Sequence, residues 1–280
     1  MKICLWQAVL VGFSVTLLMA RPSRSDEAAD RNAADEQARK IKELVEKAVD
    51  WYDVLPAAGA ETRLRPEVVL SWRNTVRTQT GASLMVLWTD HGRPAAMASI
   101  FQWDNDICHE FGSLSRTNKL VARNQSAVIW SPAKAGVEFR DVPDGPPPAE
   151  TAPSRLRQMK AMAERFSARL PERNRDGKHE VLRLLARPLF RYDLKEDKNA
   201  ERSLQDGAVF AFVMGTDPEV ILLLETVQRG DDAAWQYALA RATAWAAEAT
   251  LGDKVVWSVS HDMQVDDPRN SQFQIRRPLP

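Results

Sequence analysis

The residues of this chain whose types and spacing suit chemistry are Asp104, Asp106, His109 and Glu110, at a loop leading into an apolar run, with Asp90-His91 on a neighbouring turn. Carboxylates beside imidazoles are what general acid–base catalysis or metal-assisted hydrolysis requires, because one group holds the proton while another orients or ligates. Asp106, His109 and Glu110 are therefore the catalytic candidates of a hydrolase reading. Against it stands the plain structural reading, in which Asp104 and Asp106 cap a loop, His91 sits on an exposed turn and His109 is a polar residue of a sheet edge. Glu110 fits that reading least comfortably, since a carboxylate among apolar neighbours needs a partner. Arg93 and Arg116 are the expected partners.

No stronger template is present. The sequence has no glycine-rich phosphate loop, nucleophile elbow, His-Glu-x-x-His or calcium loop. Its four histidines, at 91, 109, 179 and 261, lie outside chelating helical spacing, and its two cysteines cannot build a thiolate zinc site or a disulfide framework. No metal or cofactor is expected. With 38 basic and 38 acidic residues there is no polybasic signature of nucleic-acid binding.

The elements that must position these residues begin after an address. Lys2, the apolar run Ile3 to Ala20 and the small-x-small pair Ser23 and Ser25 read as a secretory signal peptide over residues 1–25. An uncleaved signal that anchors the chain in a membrane is the alternative. Cleavage removes Lys2, Arg21 and Arg24 from the 38 basic residues and none of the 38 acidic ones, leaving a formal charge of −3. Cys108 is then the remaining cysteine, safest in an oxidising compartment when buried. No later run reaches spanning length, so the mature chain is expected to be secreted or periplasmic, without a membrane span.

The mature chain reads as one unit written twice. Gly81-Ala82 answers Gly207-Ala208, Thr89-Asp90 answers Thr216-Asp217, and Val128-Ile129-Trp130-Ser131 answers Val255-Val256-Trp257-Ser258, at offsets of 126, 127 and 127. Under that offset His109 falls on Gln236, Glu110 on Tyr237 and His91 on Pro218, which argues against catalysis. A helix over about Ala34 to Trp51 opens the first copy, and one over about Pro153 to Leu170, with Leu156, Met159, Met162, Phe166 and Leu170 on one face, opens the second. Each is followed by four or five strands: Val68–Trp72, Ser83–Trp88, Ala95–Trp103, Ile107–Leu114 and Ala127–Trp130, then Val181–Tyr192, Val209–Met214, Val220–Val227, Trp235–Ala242 and Val255–Val259.

The expected fold class is α+β, two tandem units each with one helix packed on an antiparallel meander, comparable by analogy with cystatin-like or nuclear-transport-factor-like sheets. The expected organisation is a signal at 1–25, a first repeat at 26–140, a Pro-rich linker at 141–152, a second repeat at 153–262 and an irregular tail at 263–280. Trp130 and Trp257 recur at one place in both copies and are expected in the core.

Over Gly81 to Trp88, His109 to Ser115, Val128 to Pro132, Asp206 to Val213, Gly215 to Val220, Trp235 to Arg241 and Val255 to Val259, the chain resembles a family of secreted planctomycete proteins. The resemblance implies an exported bacterial protein and carries no activity, ligand or catalytic residue. The resulting expectation is an exported, non-enzymatic binding or structural protein of the bacterial cell envelope, whose cleft between copies holds an envelope protein, peptide or glycan. A third reading is assembly of a larger oligomer through open sheet edges.

Overall fold

Val, Ile, Trp and Phe are frequent in the apolar runs of this chain, and such β-branched and aromatic side chains fit a pleated, buried surface better than a helix. The computed structural model describes residues 24–73, 81–171, 179–192, 204–229 and 232–279. The expected signal at 1–25 falls, but for its last two residues, outside the described residues. The chain divides at Gln37/Ala38 into two units; the described part of the first is helical, and every strand belongs to the second.

Helix α1 (Arg24–Ala48) passes through a 3-10 turn at Val49–Trp51 into β1 (Asp53–Leu55), β2 (Arg65–Arg73), β3 (Ala82–Asp90), β4 (Arg93–Trp103), β5 (Asp106–Ser113), β6 (Val121–Asn124), β7 (Ala127–Trp130) and the short β8 (Arg140–Asp141). Helix α2 (Ala152–Ala163) leads into β9 (Phe166–Leu170), β10 (Glu180–Leu184), β11 (Phe190–Tyr192), β12 (Leu204–Met214), β13 (Asp217–Arg229), β14 (Asp232–Arg241), β15 (Ala247–Leu251), β16 (Lys254–Val259) and β17 (Gln272–Pro278). Every strand pairing is antiparallel.

Two large sheets lie face to face. The five-stranded sheet runs β17-β5-β4-β3-β2 and the nine-stranded one β16-β15-β9-β10-β12-β13-β14-β8, with β11 beside β12. Between them Met85, Leu87 and Met97 meet Val209, Ala211, Val213, Ile221 and Leu223. The outer face of the first sheet, with Val86, Trp88, Ala98 and Ile100, packs on Ile41, Val45, Val54 and Trp130. The outer face of the second, with Phe210, Phe212, Leu222 and Leu224, packs on Met159, Met162, Phe166 and Ala249. Both faces of β3, β4, β12 and β13 are thus buried, which explains why these strands are written as apolar runs and not as alternation.

The pairing order repeats. A three-stranded sheet β1-β6-β7 stands to the meander β2 to β5 as β9-β15-β16 stands to β10 and β12 to β14. In the second half β9 also pairs with β10, and this join makes the nine-stranded sheet continuous.

The α+β expectation is corrected: with seventeen strands and two α-helices among the described residues, the protein is mostly β, built of large curled sheets. Helices do not supply the cover alone, because short strands share it. The clearest case is the helix expected over Pro153 to Leu170. It is capped by Thr151, whose Oγ1 accepts from the Ser154 amide at 3.4 Å, and stops at Ala163. Phe166 to Leu170 instead form β9, paired with both β10 and β15. Phe166 and Leu170 satisfy helical spacing, yet with Ala168 they also alternate with Ser167 and Arg169, and strand neighbours on both sides decide the choice. The strand expected at Val181 to Tyr192 is interrupted, because Pro188 cannot donate to a ladder. The tail at 263–280, expected to be irregular, carries β17.

Candidate functional site

The β5 constellation is not brought together. A two-residue turn joins Trp103 to Asp106, with exposed Asp104 at φ 51°. Another, with His91 at φ 46° and Gly92 at φ 85°, places Asp90 and His91 at the tip of the β3–β4 hairpin. Along β5 successive side chains alternate in direction, so Asp106, Cys108 and Glu110 leave one face and Ile107, His109 and Phe111 the other. His109 is fully buried against Tyr52 and Phe111, at ring-centroid distances of 4.8 and 5.9 Å. Arg93 and Arg116, expected beside Glu110, both bind Glu225. Glu110 itself is half-buried. Among the described residues no group of three His, Cys, Asp or Glu is placed to hold a metal ion.

His109 Nε2 lies 2.9 Å from Ala48 O. A carbonyl can only accept, so the proton sits on Nε2, and the buried Nδ1 has no hydrogen-bond partner. Burial pulls the imidazole pKa from 6.5 down to about 4, with Arg277 lowering it further and the Ala48 contact opposing. The unfolded chain therefore binds this proton at a higher pH than the folded one. Stability from His109 is complete above about pH 6.5 and is lost as pH falls toward 4, by about 3 kcal/mol over the window. Urea midpoints compared across pH 4–7 for the parent and His109→Gln will show the parent falling more steeply, because glutamine carries no titrating ring.

Cys108 is buried, 2.9 Å by Sγ from Gln274 Nε2, and burial followed by the neighbouring Glu110 charge pushes its thiol well up. It stays protonated.

Two buried ionic clusters carry no local signature in the sequence. Glu225, fully buried on β13, accepts from Arg93 Nε at 2.7 Å, Arg116 Nη2 at 2.6 Å and Tyr192 Oη at 2.7 Å. Burial, then the Glu225 charge, raise the Tyr192 hydroxyl well above its ordinary pKa, so it remains a donor. A Cβ on Gly207 would stand 2.4 Å from the Tyr192 ring, so glycine is what lets that ring approach the sheet. Both guanidiniums also lie over Phe139, at 5.1 and 4.0 Å. In the second cluster Asp206 accepts from Arg155 at 2.8 Å and Arg191 at 2.7 Å, while Arg155 Nη1 also donates to Ala149 O and Glu150 O. That tie fastens the Pro-rich linker and α2 to β12. What signal there is for Glu225 is its place as the one carboxylate inside Val220 to Val227.

The arrangement best suited to binding lies elsewhere. Between the terminal strands β8 and β16 an open groove of about 500 Å³ is lined by Arg116, Lys134, Glu138, Arg140, Tyr237 and Trp257, with Val137, Leu239 and Val256 adding apolar surface. Lys134 is exposed. Arg140 Nη1 donates to Val256 O at 2.9 Å and its Nη2 approaches Glu138 at 3.4 Å. Arg116 is paired with Glu225 and Arg140 lies beside Glu138, so the positive character of the lining rests mainly on exposed Lys134. Trp257 pairs with Ala249 as Trp130 pairs with Ala122, yet Trp130 is fully buried and Trp257 only half. The core role expected of the two tryptophans holds fully for Trp130 and in part for Trp257, which packs against the second core while keeping some surface. A second groove of about 610 Å³ runs past Glu61, Arg63, Arg65, Glu67, Asp90 and His91, and offers no Trp, Tyr or Phe ring.

Comparison of the chain with family models, curated proteins and solved structures finds no match. Among the described residues no helix is long and apolar enough to cross a membrane.

Proposed function

We propose that this is an exported, non-enzymatic binding protein of the bacterial cell envelope, derived from one unit copied and fused, and that the groove beside Trp257 holds its partner. The observation that carries the reading is the groove itself, where the half-buried Trp257 indole, the edge of Tyr237 and the Lys134 and Arg140 side chains meet on one concave surface. Concave sites that combine apolar rings with a few placed polar groups are the usual form of a binding site. The acid–base residues, in contrast, leave β5 on opposite faces, and a hydrolase needs them convergent. Export is supported by the Lys2-led apolar run with its small-residue site, and by the resemblance to secreted planctomycete proteins. The repeated pairing order supports the copying.

A site-directed photocrosslinker tests this. Benzoylphenylalanine at position 134, on the groove rim, is expected to give a defined adduct when the mature protein is irradiated with its native envelope fraction, and the same group at position 91, at the tip of the β3–β4 hairpin and outside the groove's lining, is not. Adducts from position 91 with none from position 134 contradict the reading.

A further inference from the structure

The two halves curl alike and close differently. In the first half β17 pairs with β5 over seven residues, from Gln272↔Gly112 to Pro278↔Asp106. The segment leading into it crosses to the end of β7: Pro268 O accepts from Ser131 N at 2.9 Å, Arg269 O from Ala133 N at 2.8 Å and Asn270 O from Trp130 Nε1 at 2.8 Å. The chain's own turn-rich segment before β17 thus bridges the terminal strands and covers Trp130. In the second half the equivalent of β17 is β8, which pairs with β14 at two positions, Gln236↔Asp141 and Tyr237↔Arg140. Its reach toward β16 is the Arg140 guanidinium on Val256 O. The groove is what remains.

From this contrast the geometry points to the occupant: an extended, acidic segment of a partner protein that lies along the open edge of β16 and covers Trp257, as residues 268–270 cover Trp130 at the end of β7. This rests on the reading of the groove as the binding site and narrows its ligand to a peptide. As the terminal strand of its sheet, β16 offers six residues, about 20 Å of backbone edge. Edge backbone supplies generic hydrogen bonds to an added strand, and side-chain pockets supply choice. Here the choice is an apolar side chain seated on Trp257 and carboxylates set against Lys134 and Arg140, since charge-assisted pairs with guanidinium are the strong ones. A basic segment would set like charge against Lys134 and Arg140.

A library of random 12-residue peptides displayed on phage, panned on the immobilised mature protein, tests the inference. The expected winners carry net negative charge and alternate apolar with polar residues. Affinity of a labelled synthetic winner is expected to fall about 10- to 50-fold in Trp257→Ala, as for a central aromatic anchor, and about five-fold in Lys134→Glu, a change at an exposed residue that leaves folding untouched. Winners without acidic excess, or winners indifferent to both substitutions, overturn it. A parallel arm titrates oligogalacturonate, an acidic glycan, against tryptophan fluorescence. If no peptide is selected and the glycan changes a signal that Trp257→Phe abolishes, the peptide inference falls and the binding reading stands. If neither ligand engages the groove, both fall.

Discussion

Replacing Glu225 with alanine is expected to cost about 3–5 kcal/mol of folding stability, because removing one partner of a buried ionic group strands the others. Three donors would lose their acceptor together: Arg93 Nε, Arg116 Nη2 and the Tyr192 hydroxyl. Arg93 stands on the first sheet, Arg116 on the loop after β5 and Glu225 on the second sheet, so the cluster ties the two halves at their shared face. Urea denaturation of the mature protein reads the loss directly. The exposed pair Arg229–Asp141 is the control: Asp141→Asn is expected to leave the midpoint within measurement scatter, since solvated ion pairs contribute little. Equal losses at the two sites would show that burial of Glu225 does not govern its contribution.

The second large effect separates two tryptophans that spacing alone makes equivalent. Trp130→Ala is expected to cost about 3–5 kcal/mol, the range for truncating a fully enclosed aromatic. Trp130 stacks on Phe111 at 5.4 Å between ring centroids, and its indole donates to Asn270 O. Trp257→Ala removes a half-buried ring and is expected to cost about 1–2 kcal/mol, in proportion to the apolar area that ring buries. Thermal or urea unfolding of both variants will show the asymmetry. Matching losses would mean that Trp257 is as enclosed as its counterpart, and the groove would lose its main apolar contact.

How much of the fold is legible from residue types divides along the range of the interactions involved. The central strands can be read because their apolar runs, such as Ser83 to Trp88 and Val220 to Val227, are long and bounded by turn residues, and turn chemistry at His91-Gly92 and Gly215-Thr216 marks where they reverse. Short strands cannot. Asp53–Leu55 and Phe166–Leu170 are strands only because β6, β10 and β15 run beside them, and helical spacing is equally satisfied by Phe166 and Leu170. β17 does alternate over Gln272-Phe273-Gln274-Ile275-Arg276, but with two apolar residues the signal is brief, and pairing with β5 settles it.

The β5 constellation illustrates the opposite error. Asp106, His109 and Glu110 are close in sequence, but a period of two sends 109 and 110 to different faces. The groove has no local signature at all: Arg116, Lys134, Tyr237 and Trp257 come from separate segments that meet through the curl of the second sheet. The offset of 127 places Trp257 correctly on its strand opposite Ala249. It cannot reveal what covers that strand, because cover in the first half comes from residues 268–273, which lie beyond both repeats.

Hydrogen exchange by mass spectrometry on the mature protein, with and without its native envelope extract, tests most directly whether the groove beside Trp257 is where this protein meets its partner. The account predicts slowed exchange in the segments 134–140 and 254–259, and unchanged exchange at the hairpin 89–92. Slowing at that hairpin or along 104–110, with both groove segments unaffected, would contradict it.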